Sequence, residues 1–313
     1  MTEGGTTIGY SIIIGRRAPE VKASCPEAMP NMGAVAAEAT LPGVEPQVSV
    51  IVRARDEQAS IGRCLGLIAA QRMPAGSVEV VVVDSGSRDA TAATARRAGA
   101  RVVAIPSASF TFGGALNLGA VNARGAVLVA LSAHAFPPDE LWLSRLLAPF
   151  ADPRVACACG DTFDPEGVRL AGAIHQDLRL ARRRPEWGFS NAAGAFRAEL
   201  WRQRPFRADL PGCEDKEWSW HWLGQGYVCV VDSALVVAHD HTHDRPLSIY
   251  RRARREAEAL ARFTEPPPYG PRELLQEWWS DLRWYRSAAR ARVSHRRAAR
   301  LLGAYAGRRR ARR

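Results

Sequence analysis

Apolar residues along the chain change period several times, and each change predicts an element. VSVIVRA, from Val48 to Ala54, is a β-branched run with one cation near its end, and predicts a buried strand. Ile61, Cys64, Leu65 and Ile68 recur at helical spacing, so Ser60 to Gln71 predicts a helix. VEVVVVD (Val78 to Asp84) predicts a second strand that ends on an acid. A helix follows, with Ser87 as its expected N-cap and Gly99 at its C-terminal end. RVVAIP predicts a third strand, Gly113 to Ala123 a helix opened by two glycines, and Ala126 to Ala133 a fourth strand. Pro138-Asp139-Glu140 then predicts a helix running through Phe150. Strands this apolar have no solvated face, so the alternation implies an α/β fold with a mostly parallel sheet covered by helices on both faces. In such folds ligands bind beyond the carboxyl ends of the strands. Three segments therefore matter: Arg53 to Glu57, Asp84 to Asp89 and Ser132 to Ala135.

Beyond Phe150 the pattern loosens. RVACACG predicts a strand, Ser190 to Trp201 a turn into a strand or short helix, Glu214 to Leu223 a helix, and Tyr227 to His239 one or two strands. Residues 1–46 are rich in Gly, Ala, Pro and Glu and read as a flexible leader. Residues 47–245 form the expected core domain. Residues 246–313 are expected to be an Arg-rich helical extension, broken at Glu265 to Pro271.

Charge sharpens that division. The net charge is +11, yet residues 246–313 hold 18 Arg, no Lys and 6 acidic residues, a net +12. The remainder sets 25 basic against 26 acidic residues, a net −1. Trp278, Trp279, Trp284 and Tyr285 lie among these arginines, a mixture that suits a membrane surface or an acidic partner. No sequence-reading nucleic-acid motif accompanies it. The six cysteines include no CxxC pair and are expected to be buried thiols. No apolar run approaches the roughly 20 residues of a membrane span, and Ile12 to Ile14 is too short for a signal peptide, so a cytoplasmic protein is expected.

Four clusters carry candidate chemistry. Asp84-Ser85-Gly86-Ser87-Arg88-Asp89 follows a buried strand, where an acid can accept hydrogen bonds from a ribose or base; an ordinary Asp-Gly turn is the alternative. Glu214-Asp215 opens a helix, where a carboxylate suits the dipole or serves as a general base. Trp218 and Trp222 share one face of that helix, for core packing or for stacking on a sugar. His239-Asp240-His241-Thr242-His243 places alternate imidazoles on one side of an extended chain, a seed for a metal site.

VSVIVRARDEQASIGRCL, VEVVVVDSGSRDATAATA and FTFGGALNLGAVNARGAVLVALSAHAFPPDELWL together resemble the family 2 glycosyltransferases of GT-A fold, closest to rhamnosyltransferase-like members. The resemblance runs from about Gln47 to Ala259. It implies an inverting transferase that moves a sugar from a nucleoside-diphosphate donor to a hydroxyl of a glycan, glycolipid or secondary metabolite. It implies donor contacts at Arg53, Asp56, Glu57, Asp84, Ser85, Gly113, Gly114, Asn117, Ser132 and His134. Asp215 is implied as the base with Glu214 as helper, and Asn191, Gly194 and Trp218 as acceptor contacts. The family's Asp-x-Asp, which holds a divalent cation, is replaced here by Ser132-Ala133-His134, with His134 in place of the last Asp. Imidazoles at His134, His241 and His243 suit Mn²⁺ better than Mg²⁺; a protonated His134 would instead offset diphosphate charge directly. A nucleotidyltransferase on a related fold, and a non-catalytic relative that binds nucleotide or carbohydrate, stay open on the sequence alone.

Overall fold

The computed structural model describes residues 46–74, 77–239, 244–265, 269–287 and 294–311. The leader expected over residues 1–46 lies almost wholly outside them. Four strands form as the apolar runs predict: β1 (Val48–Ala54), β2 (Val78–Asp84), β3 (Arg101–Ala104) and β4 (Val127–Ser132). They pair in parallel in the order β3-β2-β1-β4, with Val50 opposite Val80 on one side and Val129 on the other. Helices α1 (Ile61–Ala69), α2 (Thr91–Arg97), α3 (Phe112–Val121) and α4 (Trp142–Leu147) connect and cover them.

The second half extends the sheet. β5 (Val155–Cys159), β6 (Ala173–Gln176), β7 (Ala193–Arg197) and β8 (Val228–Asp232) complete an eight-stranded sheet ordered β3-β2-β1-β4-β7-β5-β8-β6. Only β7 and β6 run against their neighbours. Helices α5 (Leu178–Arg183), α6 (Ala198–Gln203) and α7 (Glu214–Gly224) belong to this half.

Alternation along β1 divides the interior into two cores. Val48, Val50, Val52 and Ala54 pack with Ile61, Leu65, Trp142 and Leu146 from α1 and α4. Ile51 points the other way, into a core with Leu116, Phe196, Trp201, Trp218 and Trp222. Helix α3 approaches the sheet closely because Gly119 faces it: a Cβ there would lie 2.3 Å from Ile51 Cγ2. The side chain of Thr111 caps this helix by accepting the Gly114 N–H at 3.0 Å.

Three helices make up the described C-terminal part: α8 (Pro246–Leu260), α9 (Pro271–Ser287) and α10 (Ser294–Ala311). Helix α10 lies directly on α8. Gly303 and Gly307 permit this, since a Cβ at either would fall within 2.4 Å of the carbonyl oxygen of Tyr250 or 2.2 Å of that of Arg254. The buried carboxylate of Glu258 faces Arg262 at 2.9 Å and Arg310 at 3.6 Å. Part of the Arg-rich charge is thus neutralised inside this helical layer. No described helix is long and apolar enough to cross a membrane.

Candidate functional site

The carboxyl ends of β1, β2 and β4 meet at one edge of the sheet. The turn after β1 is laced to the turn after β2. The Asp56 N–H donates to Ser87 Oγ at 2.9 Å, and Asp56 Oδ1 accepts the Arg88 N–H at 2.8 Å. Asp56 takes φ 53, in the left-handed region that Asp tolerates better than most residues. The Glu57 N–H donates to Thr91 Oγ1 at 2.7 Å. Asp84 is buried and accepts from both the hydroxyl and the N–H of Ser87. Ser85, also buried, donates its N–H to Ala54 O at 3.0 Å. Ser87 is therefore not the helix cap that the sequence suggests. It ties two turns together, and α2 starts at Thr91, whose N–H is held by Asp89 Oδ1 at 2.9 Å. These hydroxyl and backbone bonds draw the Asp89 carboxyl below its ordinary range, Thr91 being the largest cause.

His134, just past β4, sets its Nδ1 2.7 Å from Glu57 Oε1 and stacks on His239, with ring centroids 4.8 Å apart and planes 22° from parallel. The Glu57 contact orients the ring, as carboxylate partners orient metal-bound histidines. The stack sets the two imidazoles face to face. Among the described residues no group of three His, Cys, Asp or Glu side chains is placed to hold a metal ion. His241 and His243 lie outside the described residues. Cys64, beneath this turn, directs its thiol at Ser132 O, and burial with the nearby Glu57 pushes it up to about 12.

The second half of the site is an ion array buried between β1, β7 and α7. Arg53 leaves β1 toward α7. Its Nη2 donates to Asn191 Oδ1 at 2.8 Å, and its Nη1 lies 3.6 Å from Glu214 Oε1. The amide of Asn191 donates to Glu214 Oε1, and its backbone N–H donates to Asp215 Oδ2 at 3.0 Å. Glu214 is only 2% exposed and Asp215 9%. Burial, then the like charge of Asp215, raises Glu214 to about 7 against the pull of Arg53. Burial lowers Arg53, with Glu214 and Asp215 opposing it. Cys213, which starts α7, holds φ 55, and its thiol points at Glu256 O on α8 at 3.8 Å. Two guanidinium groups approach the Phe112 ring, Arg53 at 5.9 Å and Arg255 at 5.1 Å from its centre. Beside the array a cleft of about 270 Å³ opens between Asp161, Thr162, Ser190, Ala192, Lys216 and His239.

Six of the residues singled out from the sequence serve packing instead of lining the cleft. Trp218 has no exposed surface; its indole N–H donates to Arg204 O at 2.7 Å, and Phe189, Phe196 and Phe206 surround its ring. No face is left for a sugar. Trp222 is buried against it. Asn117 spends its side chain on Phe206 O, Phe206 N–H and the Trp201 indole. Gly113 and Gly114 allow close contact: Cβ atoms there would meet Arg207 O at 2.5 Å and Thr111 Oγ1 at 2.6 Å. Gly194 sits inside the sheet between β4 and β5, where a Cβ would meet Ser190 O at 2.4 Å.

Other features of the site escape the sequence reading. Arg53 is predicted as a donor contact, but it faces the carboxylate pair. A cation inside VSVIVRA is a readable signal, because a buried guanidinium needs carboxylates. The stacking of His239 on His134, and the approach of Arg255 and Glu256 from α8, have no counterpart in any local pattern.

The profile of Glycosyl transferase family 2 matches residues 49–206. Glycosyltransferase AglE of Haloferax volcanii is 33% identical over 104 residues, 32% of this chain and 34% of that protein, so the match spans about a third of that relative. Among solved structures, the mannosyltransferase PcManGT from Pyrobaculum calidifontis, in complex with GDP-Man and Mn²⁺, superposes with a TM-score of 0.59 at 24% identity, covering 85% of this chain and 86% of that one. Glucosyl-3-phosphoglycerate synthase from Mycobacterium tuberculosis, in complex with phosphoglyceric acid, gives 0.52 at 24% identity, covering 72% and 83%. At such identities the structural likeness shows the GT-A fold, and the family rests on the profile match across half of the sequence: the chain belongs to glycosyl transferase family 2.

Proposed function

We propose that this chain is an inverting glycosyltransferase, which takes a sugar from a nucleoside-diphosphate donor and places it on an acceptor hydroxyl. The carrying observation is the buried array of Arg53, Asn191, Glu214 and Asp215 beside an open cleft. A hydroxyl is a weak nucleophile and must lose its proton as it attacks. Asp215, oriented by the Asn191 N–H, takes that proton. The acceptor oxygen forms its bond to the anomeric carbon as the bond from that carbon to the β-phosphate oxygen breaks. The electron pair leaves with the nucleoside diphosphate. Glu214, bound to Asn191 and facing Arg53, orients the array from behind. Asp56, Glu57, Asp84 and Ser85, at the strand ends, are the groups for the base and ribose, and Ser132 and His134 for the diphosphate side.

PcManGT is described with Mn²⁺. The described donor atoms of this chain do not make a metal site on their own. The leaving diphosphate needs positive charge or hydrogen-bond donors, and His134 stands at the strand end where they are required.

The acceptor reading extends to a lipid-linked glycan presented at an anionic membrane surface. Leu275 and Trp279, one turn apart on α9, are 57% and 65% exposed, close to Arg272 and within the segment of net +12. An apolar pair with a basic surround suits the headgroup boundary.

Calorimetric titration with UDP, dTDP and GDP, each with and without Mn²⁺, tests the donor assignment. The expected result is binding of one nucleotide at least tenfold tighter than the other two. Absence of binding to all three, with and without the cation, overturns the transferase reading and leaves a non-catalytic relative.

A further inference from the structure

Asp215 and Glu214 are held by Asn191, so the segment that carries Asn191 must itself be fixed. Gly188 in that segment has φ 110, a conformation open to glycine and strained for other residues. A Cβ at Gly188 would lie 2.1 Å from Gln176 Oε1. Gln176 is buried and donates its Nε2–H to Trp187 O at 3.0 Å, closing the segment from the β6 side. Lys216 also reaches this segment. Its Nζ donates to Gly188 O at 2.9 Å and to Phe189 O at 2.8 Å. Two residues further on, the Asn191 N–H reaches Asp215, and the Asn191 side chain bridges Arg53 and Glu214.

The residue type is informative. The chain holds 43 Lys and Arg in all, and only Lys22 and Lys216 are lysines. Two carbonyl oxygens that converge on one point suit a compact ammonium with three donors; a planar guanidinium would have to spread its fork. Burial alone would lower the Lys216 ammonium, but Asp215 and the thiols of Cys159, Cys213 and Cys229 outweigh it and leave it raised. The side chain therefore carries its charge throughout the neutral range.

We propose that Lys216 is a positioning residue of the transfer reaction: it clamps the Gly188 and Phe189 carbonyls so that Asn191 presents its N–H to Asp215, and its ammonium adds positive charge beside Asp215, the immediate neighbour of Glu214. This rests on the glycosyltransferase reading for the reaction, though not for the charge effect. The charged and titratable groups around the pair are Arg53 from β1, Cys213 and Lys216 from α7, and Glu256 with Arg252 and Arg255 from α8, while Cys159 from β5 and Cys229 from β8 face Lys216. Glu256 is itself raised, by burial first, and adds negative charge beside Asp215. Loss of Lys216 therefore leaves the carboxylates with a deficit of positive charge.

Lys216→Met and Lys216→Arg separate clamp from charge. The full chain labelled at glutamate side-chain carboxyls, with the Glu214 signal assigned by its loss in Glu214→Gln, gives the titration of Glu214 by carbon NMR. In Lys216→Met the midpoint is expected to rise by about one pH unit, and the acid limb of the pH–kcat profile to rise with it. In Lys216→Arg the acid limb is expected to stay within about 0.3 pH unit, while kcat falls at least tenfold and the donor KM is kept. A folded Lys216→Met with the wild-type midpoint overturns the charge part. Lys216→Arg with wild-type kcat overturns the clamp, and this holds even if Lys216→Met fails to fold. If wild type turns over no sugar donor, the function reading fails, and the NMR titration still decides the charge part.

Discussion

Replacement of Glu214 by Gln tests the buried array through stability. Glu214 ionises at about 7 in the folded chain against an ordinary 4.5, because burial and Asp215 outweigh Arg53. Below pH 4.5 folded and unfolded chains both carry the proton, and the carboxyl costs nothing. Between 4.5 and 7 the unfolded chain has lost the proton that the folded one keeps, so stability falls as pH rises through this window and levels off above it. Each pH unit that separates the folded and unfolded midpoints is worth about 1.4 kcal/mol, so the group removes roughly 3 kcal/mol from the folded state by pH 8. Gln cannot ionise, yet its amide oxygen can still accept from Asn191. At pH 5 the exchange is close to isosteric, a carboxylic acid for an amide. Urea unfolding of both proteins at pH 5 and pH 8 is the assay. The stability of Glu214→Gln relative to wild type is expected to improve by roughly 2–3 kcal/mol from pH 5 to pH 8. A relative stability that stays constant to within about 0.5 kcal/mol would refute the assignment of a raised, buried Glu214.

Two further outcomes follow from the site and the surface. Asp215→Asn should reduce transfer roughly 10²–10⁴-fold while nucleotide affinity stays within about threefold; initial rates and calorimetry check this, and a variant above a tenth of wild-type rate removes Asp215 as base. Sedimentation with phosphatidylglycerol vesicles should capture the wild type and leave it in solution with phosphatidylcholine, and Leu275→Ser/Trp279→Ser should weaken capture about tenfold or more; wild type that ignores both vesicles ends the membrane proposal.

The fold was legible where burial imposes a period on the sequence. The strands β1, β2 and β4 are buried on both faces, so their runs of Val, Ile and Leu stand out. β6 did not stand out. AIHQ is four residues long, sits at the sheet edge and alternates exposed Ala173 and His175 with a partly buried Ile174 and a buried Gln176. Glu214-Asp215 was visible as a pair at a helix start, but acids at a helix start are equally well explained by the dipole. What separates the readings is burial by Arg53 and Asn191, 161 and 23 residues away from Glu214, which no local pattern records. Asn117 and Trp218 show the opposite error. Both sit in segments that resemble donor and acceptor motifs, and both spend every polar atom of the side chain inside the fold.

The charge of the C-terminal quarter also divides differently in space than along the chain. Helix α8 opens that quarter, yet Arg255 lies over Phe112, the Glu256 carbonyl faces the Cys213 thiol, and the Glu256 carboxyl adds to the field at Asp215. These contacts reach the two ends of the array, Phe112 beside Arg53 and Cys213 at the start of α7. Cys213 keeps a left-handed backbone that costs a non-glycine residue about 1–2 kcal/mol, and its side chain is directed at α8. The strain and the helix therefore set the same thing, the direction in which Glu214 and Asp215 leave the loop. α10 in turn is locked onto α8 through Gly303, Gly307 and the Glu258–Arg310 pair. The basic quarter thus reaches the carboxylate array through one helix, with Arg255 over Phe112 and the exposed Leu275 and Trp279 carried on α9.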